Sequence, residues 1–392
     1  MTGTARPAAR SAEAPSAPAT AAAQRPVGTD GSPVHALPDF PWDRLAPAKR
    51  RAAAHPGGLV DLSVGAPVDP VPGSVRTALA EAADAPGYPP TAGTPRLREA
   101  ITAWLARTTG AAVDGLEVLP TIGSKELIAG LPRALGLGGG DTVVVPTICY
   151  PTYEVGAVLA GATVVRADRP DQVPAAATPR LVWVNSPSNP TGQVLSAADL
   201  ARWVEWARAH GAVLASDECY LTLGWEAEPV SVLSVCRDGY DRVLAVHSLS
   251  KRSNLAGYRA GFVAGDPALV DALLEIRKHS GMIVPAPVQA AMAVALADES
   301  HARAQKQRYA ARRVRLRQAL QGAGFRVDHS EAGLYLWVTR GEDCWAEVDW
   351  FAERGILVAP GEFYGPAGGR HVRVALTVSD RGVAAAVDRL AG

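Results

Sequence analysis

The chain has 392 residues, 48% of them hydrophobic, with 39 basic and 39 acidic side chains. That length supports a sizeable core and two structural domains. The balanced charge, without a dense Lys/Arg run, excludes an electrostatic nucleic-acid or membrane surface, and no apolar run is long enough to span a bilayer. Residues 1–35 are rich in Ala, Pro, Ser and Thr and lack the apolar centre of a secretory signal, so a disordered extension is expected. From about Leu59 onward, apolar β-branched runs alternate with alanine-rich amphipathic stretches. Thr142–Val145, Thr163–Val165, Leu181–Val184, Val213–Ser216 and Val243–Val246 read as short buried strands. Between them, Ala197–Ala209 reads as a helix opened by Ser196 as its N-cap. This alternation predicts an α/β sheet covered on both faces. After Pro285 the pattern predicts one long helix over about 287–321, its arginines between Arg303 and Arg317 on a solvated face. Strands follow near Gly333–Val338 and His371–Thr377. The expected division is an extension (1–35), an arm with part of a small domain (36–86), a large domain (87–284) and a small α+β domain (285–392). Cys149, Cys219, Cys236 and Cys344 have neither metal-ligand nor disulfide spacing, which predicts reduced thiols in a cytoplasmic protein.

Ligands of such sheets bind outside the carboxyl ends of the strands. Tyr150, Asn185, Asp217 and Ser248 each follow a predicted strand. The segment from Ser248 to Gly261 holds Lys251 in a small-residue turn after an apolar strand, with Arg259 eight residues beyond. A poorly solvated lysine amine is a nucleophile toward an aldehyde, while serines and an arginine can hold a phosphate. Thr121 to Glu126, containing Gly123, Ser124 and Lys125, is a glycine turn opening a helix, where backbone N–H groups suit an anion. Asp217 alone could equally be a helix N-cap, but Tyr220 lies three residues on and Lys251 follows the next strand. Asn189-Pro190-Thr191-Gly192 is by itself a turn signal, with a cis bond open to Asn189-Pro190 or Ser186-Pro187. Arg373 interrupts an apolar strand and needs a partner for its charge.

In this order, the four segments around Gly123, Asn189, Asp217 and Lys251 resemble those of class I and II aminotransferases, the fold-type I pyridoxal phosphate (PLP) enzymes. The resemblance runs from about Pro38 to the C-terminus. It implies fold type I: a large domain with a mostly parallel seven-stranded sheet plus a smaller α+β domain. It also implies that Lys251 condenses with the cofactor aldehyde and moves the substrate α-proton. Asp217 would face the pyridine nitrogen, and Tyr220 and Asn189 would share the phenolate oxygen. Gly123, Ser124, Lys125, Ser248 and Arg259 would surround the phosphate, and Tyr150 would stack on the ring. Tyr88 would reach the phosphate of the neighbouring subunit in a homodimer with shared sites. Arg373 would fork onto the substrate α-carboxylate beside the backbone at Gly65.

Within the family, Phe40–Asp43, Val64–Val71, Gly123–Ile128 and Pro360–Gly365 are similar to N-succinyldiaminopimelate aminotransferases of lysine biosynthesis. That likeness implies glutamate and a succinylated diamino acid as substrates, both with a distal acidic group. Some aspartate-type relatives meet such a group with an arginine just before the counterpart of Pro285, but Ser280–Val284 carries no cation. Lys125 is the candidate for that contact, the alternative being a solvent-facing lysine at a helix start. Rival readings are an aspartate- or acetylornithine-type aminotransferase and a PLP-dependent C–S lyase. A sensor domain fused to a DNA-binding module is disfavoured by the short, Ala/Pro-rich stretch before Leu59.

Overall fold

The computed structural model describes Leu37 and residues 40–392, so the expected extension lies outside the described residues. A short strand β1 (Val60–Asp61) precedes the strands of the large sheet. These are β2 (Glu117–Ile122), β3 (Thr142–Val145), β4 (Thr163–Arg166), β5 (Pro179–Asn185), β6 (Val213–Asp217), β7 (Val243–Ser248) and β8 (Ala260–Gly265). Their order is β2-β8-β7-β6-β5-β3-β4, parallel except for β8, which runs against both neighbours. The chain then supplies β9 (Arg326–Asp328), β10 (Tyr335–Thr339), β11 (Ile356–Leu357), β12 (Ala359–Pro360) and β13 (Val372–Ala375). β12-β13-β10-β9 is an antiparallel sheet, and β11 pairs in parallel with β1. This is the α/β architecture of the PLP fold-type I transferases, with its seven-stranded sheet and a smaller β-sheet unit.

Period-two alternation explains why the large sheet is buried on both faces. Along β5, Leu181 and Trp183 enter the core that Leu127, Leu131, Tyr153 and Leu273 share. Val182 and Val184 enter the opposite core, with Ile101, Trp104, Leu200 and Trp203. Fully burying one such aliphatic side chain contributes about 1.5–3 kcal/mol. Helix Ala197–Ala209 begins as expected. The Ser196 hydroxyl accepts from Asp199 N at 3.1 Å, and the Asp199 carboxylate accepts from Ser196 N at 3.2 Å.

The structure corrects two expectations. The helix expected over 287–321 is two helices, Ala286–Ala297 and Ser300–Gly322. Asp298 is extended between them, its carboxylate accepting from the Ser300 N–H at 2.8 Å and the Ser300 hydroxyl at 2.7 Å. Ala286–Ala297 places Met292, Ala295 and Leu296 in the large-sheet core beside Val75. Nor are all the arginines of the following helix solvated. Arg312 is buried against Asp69 and Asp380 at 2.6 and 2.7 Å, and Arg313 against Glu226 at 2.7 Å. All four cysteines are unpaired. Among the described residues no helix is long and apolar enough to cross a membrane.

Candidate active site

The six parallel strands of the large sheet bring their C-terminal ends to one edge. Because β8 is reversed, its N-terminal end arrives at the same edge, with Ala260 opposite Ile122 and Gly261 opposite Ser248. Arg259, just before β8, therefore meets the glycine turn after β2 and the lysine turn after β7. Gly123 has φ +72°, and a Cβ there would run into the Arg259 guanidinium. Only glycine lets the turn and the arginine approach this closely. Gly123 caps helix Ser124–Ala134, so the first amides of an eleven-residue helix open beside Arg259. Ser248 completes the group, its hydroxyl accepting from Ser250 N at 3.1 Å and donating to the Ser250 hydroxyl at 2.8 Å.

Lys251 lies in the short helix Leu249–Arg252, and its Nζ donates to the Gly65 carbonyl. Burial pushes its pKa below the ordinary lysine value, with the Arg373 and Arg259 charges adding to the effect. Gly65 has no room for a side chain, because a Cβ would collide with the Tyr335 hydroxyl. Asp217 ends β6, and its buried carboxylate accepts from the Tyr153 hydroxyl at 2.8 Å and from Cys219 N at 3.2 Å. Burial holds its pKa above the usual carboxylate value, and the neighbouring Cys219 thiol together with these two donors only partly offsets that.

Arg373, from β13, crosses to this edge. Nη1 donates to Asn189 Oδ1 at 2.9 Å and Nη2 to the Ser63 carbonyl at 2.6 Å. Its guanidinium lies 3.9 Å from the Tyr335 ring centre and 4.9 Å from that of Tyr364. Asn189 is fixed in turn, its N–H donating to Asn185 Oδ1 at 2.7 Å. Both Ser186-Pro187 and Asn189-Pro190 are cis. Tyr220 is buried with its hydroxyl 3.2 Å from that of Tyr335.

The edge thus gathers Lys251, Asp217, Asn189, Tyr220, Ser248, Arg259, Gly123, Ser124, Gly65 and Arg373. Tyr150 lies beside it, edge-on to Tyr153 at 5.8 Å. Two expected residues stand apart: Tyr88 is 97% exposed, and Lys125 is exposed with its ammonium 5.7 Å from the Phe40 ring centre. Sequence reasoning missed Tyr153 and Tyr335. Tyr153 follows Tyr150 by about one helical turn, the one signal that could have flagged it. Tyr335 lies in a predicted strand with nothing to mark its hydroxyl.

These groups fit PLP. A buried carboxylate with no cationic partner suits a protonated pyridine nitrogen, and a buried amine of lowered pKa suits an aldehyde. Helix amides beside a serine and an arginine suit a phosphate. A fold with such an edge is that of a PLP enzyme. The chain belongs to the class I and II aminotransferases, whose family pattern matches residues 58–390. It is a PLP-dependent aminotransferase. It is 62% identical over 357 residues to a probable aminotransferase of Mycobacterium tuberculosis, covering 90% of this chain and 85% of that one. It is 59% identical over 356 residues to the 4-dedimethylamino-4-oxo-anhydrotetracycline transaminase of Streptomyces rimosus, covering 90% and 99%. Among solved structures, it is similar to the probable N-succinyldiaminopimelate aminotransferase of Thermus thermophilus, at 29% identity and a TM-score of 0.82, covering 90% and 99%.

Proposed function

We propose that this enzyme moves an amino group between glutamate and a long keto acid with a distal carboxylate, of the N-succinyl-2-amino-6-oxopimelate type. The observation that carries this is a line of neighbours leading out from Arg373. Its guanidinium lies over Tyr364, Tyr364 is 6.4 Å from Trp42, Trp42 is 5.6 Å from Phe40, and Lys125 caps Phe40. A cation stands at each end of this aromatic row, and an extended, partly apolar molecule with an acid at both ends would pair with both. The likeness to the Thermus enzyme supports the same substrate class.

PLP, when bound, supplies the aldehyde that accepts the amino group and the ring that takes up the electron pair left at Cα. The Gly123–Ser124 amides, Ser248 and Arg259 hold its phosphate. Asp217 keeps a negative charge under the pyridine nitrogen, and Tyr153 holds that carboxylate in place. Tyr220 and Asn189 face the phenolate oxygen, while Tyr150 walls the ring. Arg373 binds the substrate α-carboxylate and so orients the Cα hydrogen toward Lys251. Lys251 Nζ would take that proton from Cα, and burial, which lowers its pKa, favours the neutral amine this needs. Tyr88, projecting into solvent, reaches the site of a second subunit in a homodimer. The small domain begins near Pro285, and the enzyme works in the cytoplasm.

The test is the absorbance of the bound cofactor as glutamate and then the succinylated keto acid are added. Loss of the long-wavelength band and its return supports both half-reactions, and loss without return refutes the acceptor. Lys125→Ala should raise KM for both distal acids and spare alanine. Unchanged selectivity removes Lys125 from the site. A second acceptor class is favoured by the 59% relative, whose name specifies an oxo-anhydrotetracycline. A fused-ring ketone against Phe40 and Trp42 would restore the band where the keto acid does not.

A further inference from the structure

On the side of the cofactor edge away from Tyr153 lies a small cavity. Trp104, Glu218, His247 and Arg252 line it together with Thr222, Cys219 and Ser248, and Phe262 and Leu296 are among its apolar walls. About 10 Å³ is open to the centre of a water-sized sphere, close to the least that admits one buried water. Trp104, Glu218, His247 and Arg252 are all more than nine-tenths buried. Each carries an atom with no protein partner: Glu218 Oε2, His247 Nε2, Trp104 Nε1, and both Nε and Nη1 of Arg252. Their remaining polar contacts are made elsewhere. Glu218 Oε1 accepts from the Ser216 hydroxyl at 3.0 Å and Val232 N at 2.7 Å, and Arg252 Nη2 donates to Glu299 at 2.6 Å. Glu218 Oε2 and His247 Nε2 are 3.6 Å apart, beyond direct hydrogen-bonding distance.

The chemistry of the four is complementary. Arg252 and Trp104 offer only donors. Burial pushes the His247 pKa down to about 3, so its ring is neutral and one nitrogen accepts. Burial pushes the Glu218 pKa up to about 7, and as the carboxylate its Oε2 accepts as well. A water here would make about three hydrogen bonds, the usual number for a buried water. The positions along the chain give the cluster its meaning. Glu218 follows Asp217, His247 precedes Ser248, and Arg252 follows Lys251. At the ends of β6 and β7 successive side chains point to opposite faces, which turns Glu218 and His247 toward this cavity, and Arg252 reaches it from the short helix that follows β7.

We propose that one ordered water in this cavity accepts from Arg252 and donates to Glu218 and His247, locking together the three segments that carry Asp217, Ser248 and Lys251. Glu218, His247 and Arg252 are then positioning residues for the cofactor. This rests on the assignment of those three edge residues to PLP.

Two measurements test it. A high-resolution crystal structure of the holoenzyme should show a water within hydrogen-bonding distance of all three side chains, and clear density without one overturns the proposal whatever the variants do. His247→Phe and Glu218→Gln should each weaken PLP binding to the apoenzyme by about tenfold, the effect of one lost hydrogen bond. Each should also shift the pH at which the bound cofactor changes colour, a signature that loose packing alone would not move. The double variant should be little worse than either single one, because both remove the same bridge. Additive losses, or an unchanged colour transition in a folded variant, overturn it. Lys251→Ala serves as the control. If it still develops the cofactor's long-wavelength band, the assignment of Lys251 fails. If that band is lost while His247→Phe keeps wild-type behaviour, the water bridge alone fails.

Discussion

Tyr153→Phe isolates how this protein controls the Asp217 carboxylate. The tyrosine is fully buried, and its hydroxyl is one of two donors to that carboxylate, at 2.8 Å. Phenylalanine keeps the ring, which stacks on Trp183 with centres 4.9 Å apart, so the substitution removes little besides the hydrogen bond. A hydrogen bond to a charged group is worth about 1.5–3 kcal/mol, or about one to two pKa units. Losing it leaves Cys219 N as the remaining donor at 3.2 Å and raises the Asp217 pKa further. The carboxylate is then a weaker partner for a protonated pyridine nitrogen. We expect kcat with glutamate to fall about 10- to 100-fold and PLP to bind less tightly. KM for glutamate should change little, because the Arg373 clamp is untouched. Stopped-flow measurement of the glutamate half-reaction, with PLP titration of the apoenzyme, reads both effects. If kcat is unchanged while the variant folds and binds PLP normally, Tyr153 does not act through Asp217 and the argument fails.

Arg373→Ala should raise KM for glutamate by about 10- to 100-fold, the loss of one charged hydrogen bond, while leaving the cofactor absorbance intact. Lost cofactor absorbance would instead place Arg373 in cofactor binding. Lys251→Met bears on apoenzyme stability. Burial lowers the folded-state pKa of Lys251, so between that value and about 10.5 the unfolded chain binds more protons, and wild-type stability rises with pH across that window. The stabilisation gained from methionine should therefore be largest below the folded-state pKa and shrink toward pH 10. Urea denaturation of both apoenzymes at neutral and alkaline pH would show this, and a pH-independent difference would contradict it.

Five of the six parallel strands, all but β2, were legible because β-branched runs such as Thr142–Val145 and Val243–Val246 fit a doubly buried sheet and almost nothing else. Lys251, Asp217 and Asn189 were legible because each sits at the end of such a run. β8 was not. Four of the six residues of Ala260–Gly265 are Gly or Ala, and pairing with β2 and β7 on either side makes it a strand. The partners of Tyr153 and Tyr335 lie 64 and 115 residues away, beyond any local pattern. Arg312 and Arg313 look solvated by helical period alone. Asp69, Asp380 and Glu226, which neutralise them, come from remote segments that periodicity cannot see.

Those pairs also sharpen the case for Arg373. Five arginines are buried among the described residues: Arg252, Arg277, Arg312, Arg313 and Arg373. The first four each have a carboxylate within 2.7 Å, from Glu299, Glu126, Asp69 and Glu226 respectively. Arg373 has an amide oxygen, a backbone carbonyl and two aromatic faces, but no carboxylate. A charge buried without a counter-ion costs several kcal/mol, and replacing it with a hydrophobic residue would ordinarily stabilise the fold. That the sequence neutralises four buried arginines internally and withholds a carboxylate from the fifth supports the proposal that the missing one comes with the substrate, at the edge where Lys251 and Asp217 stand.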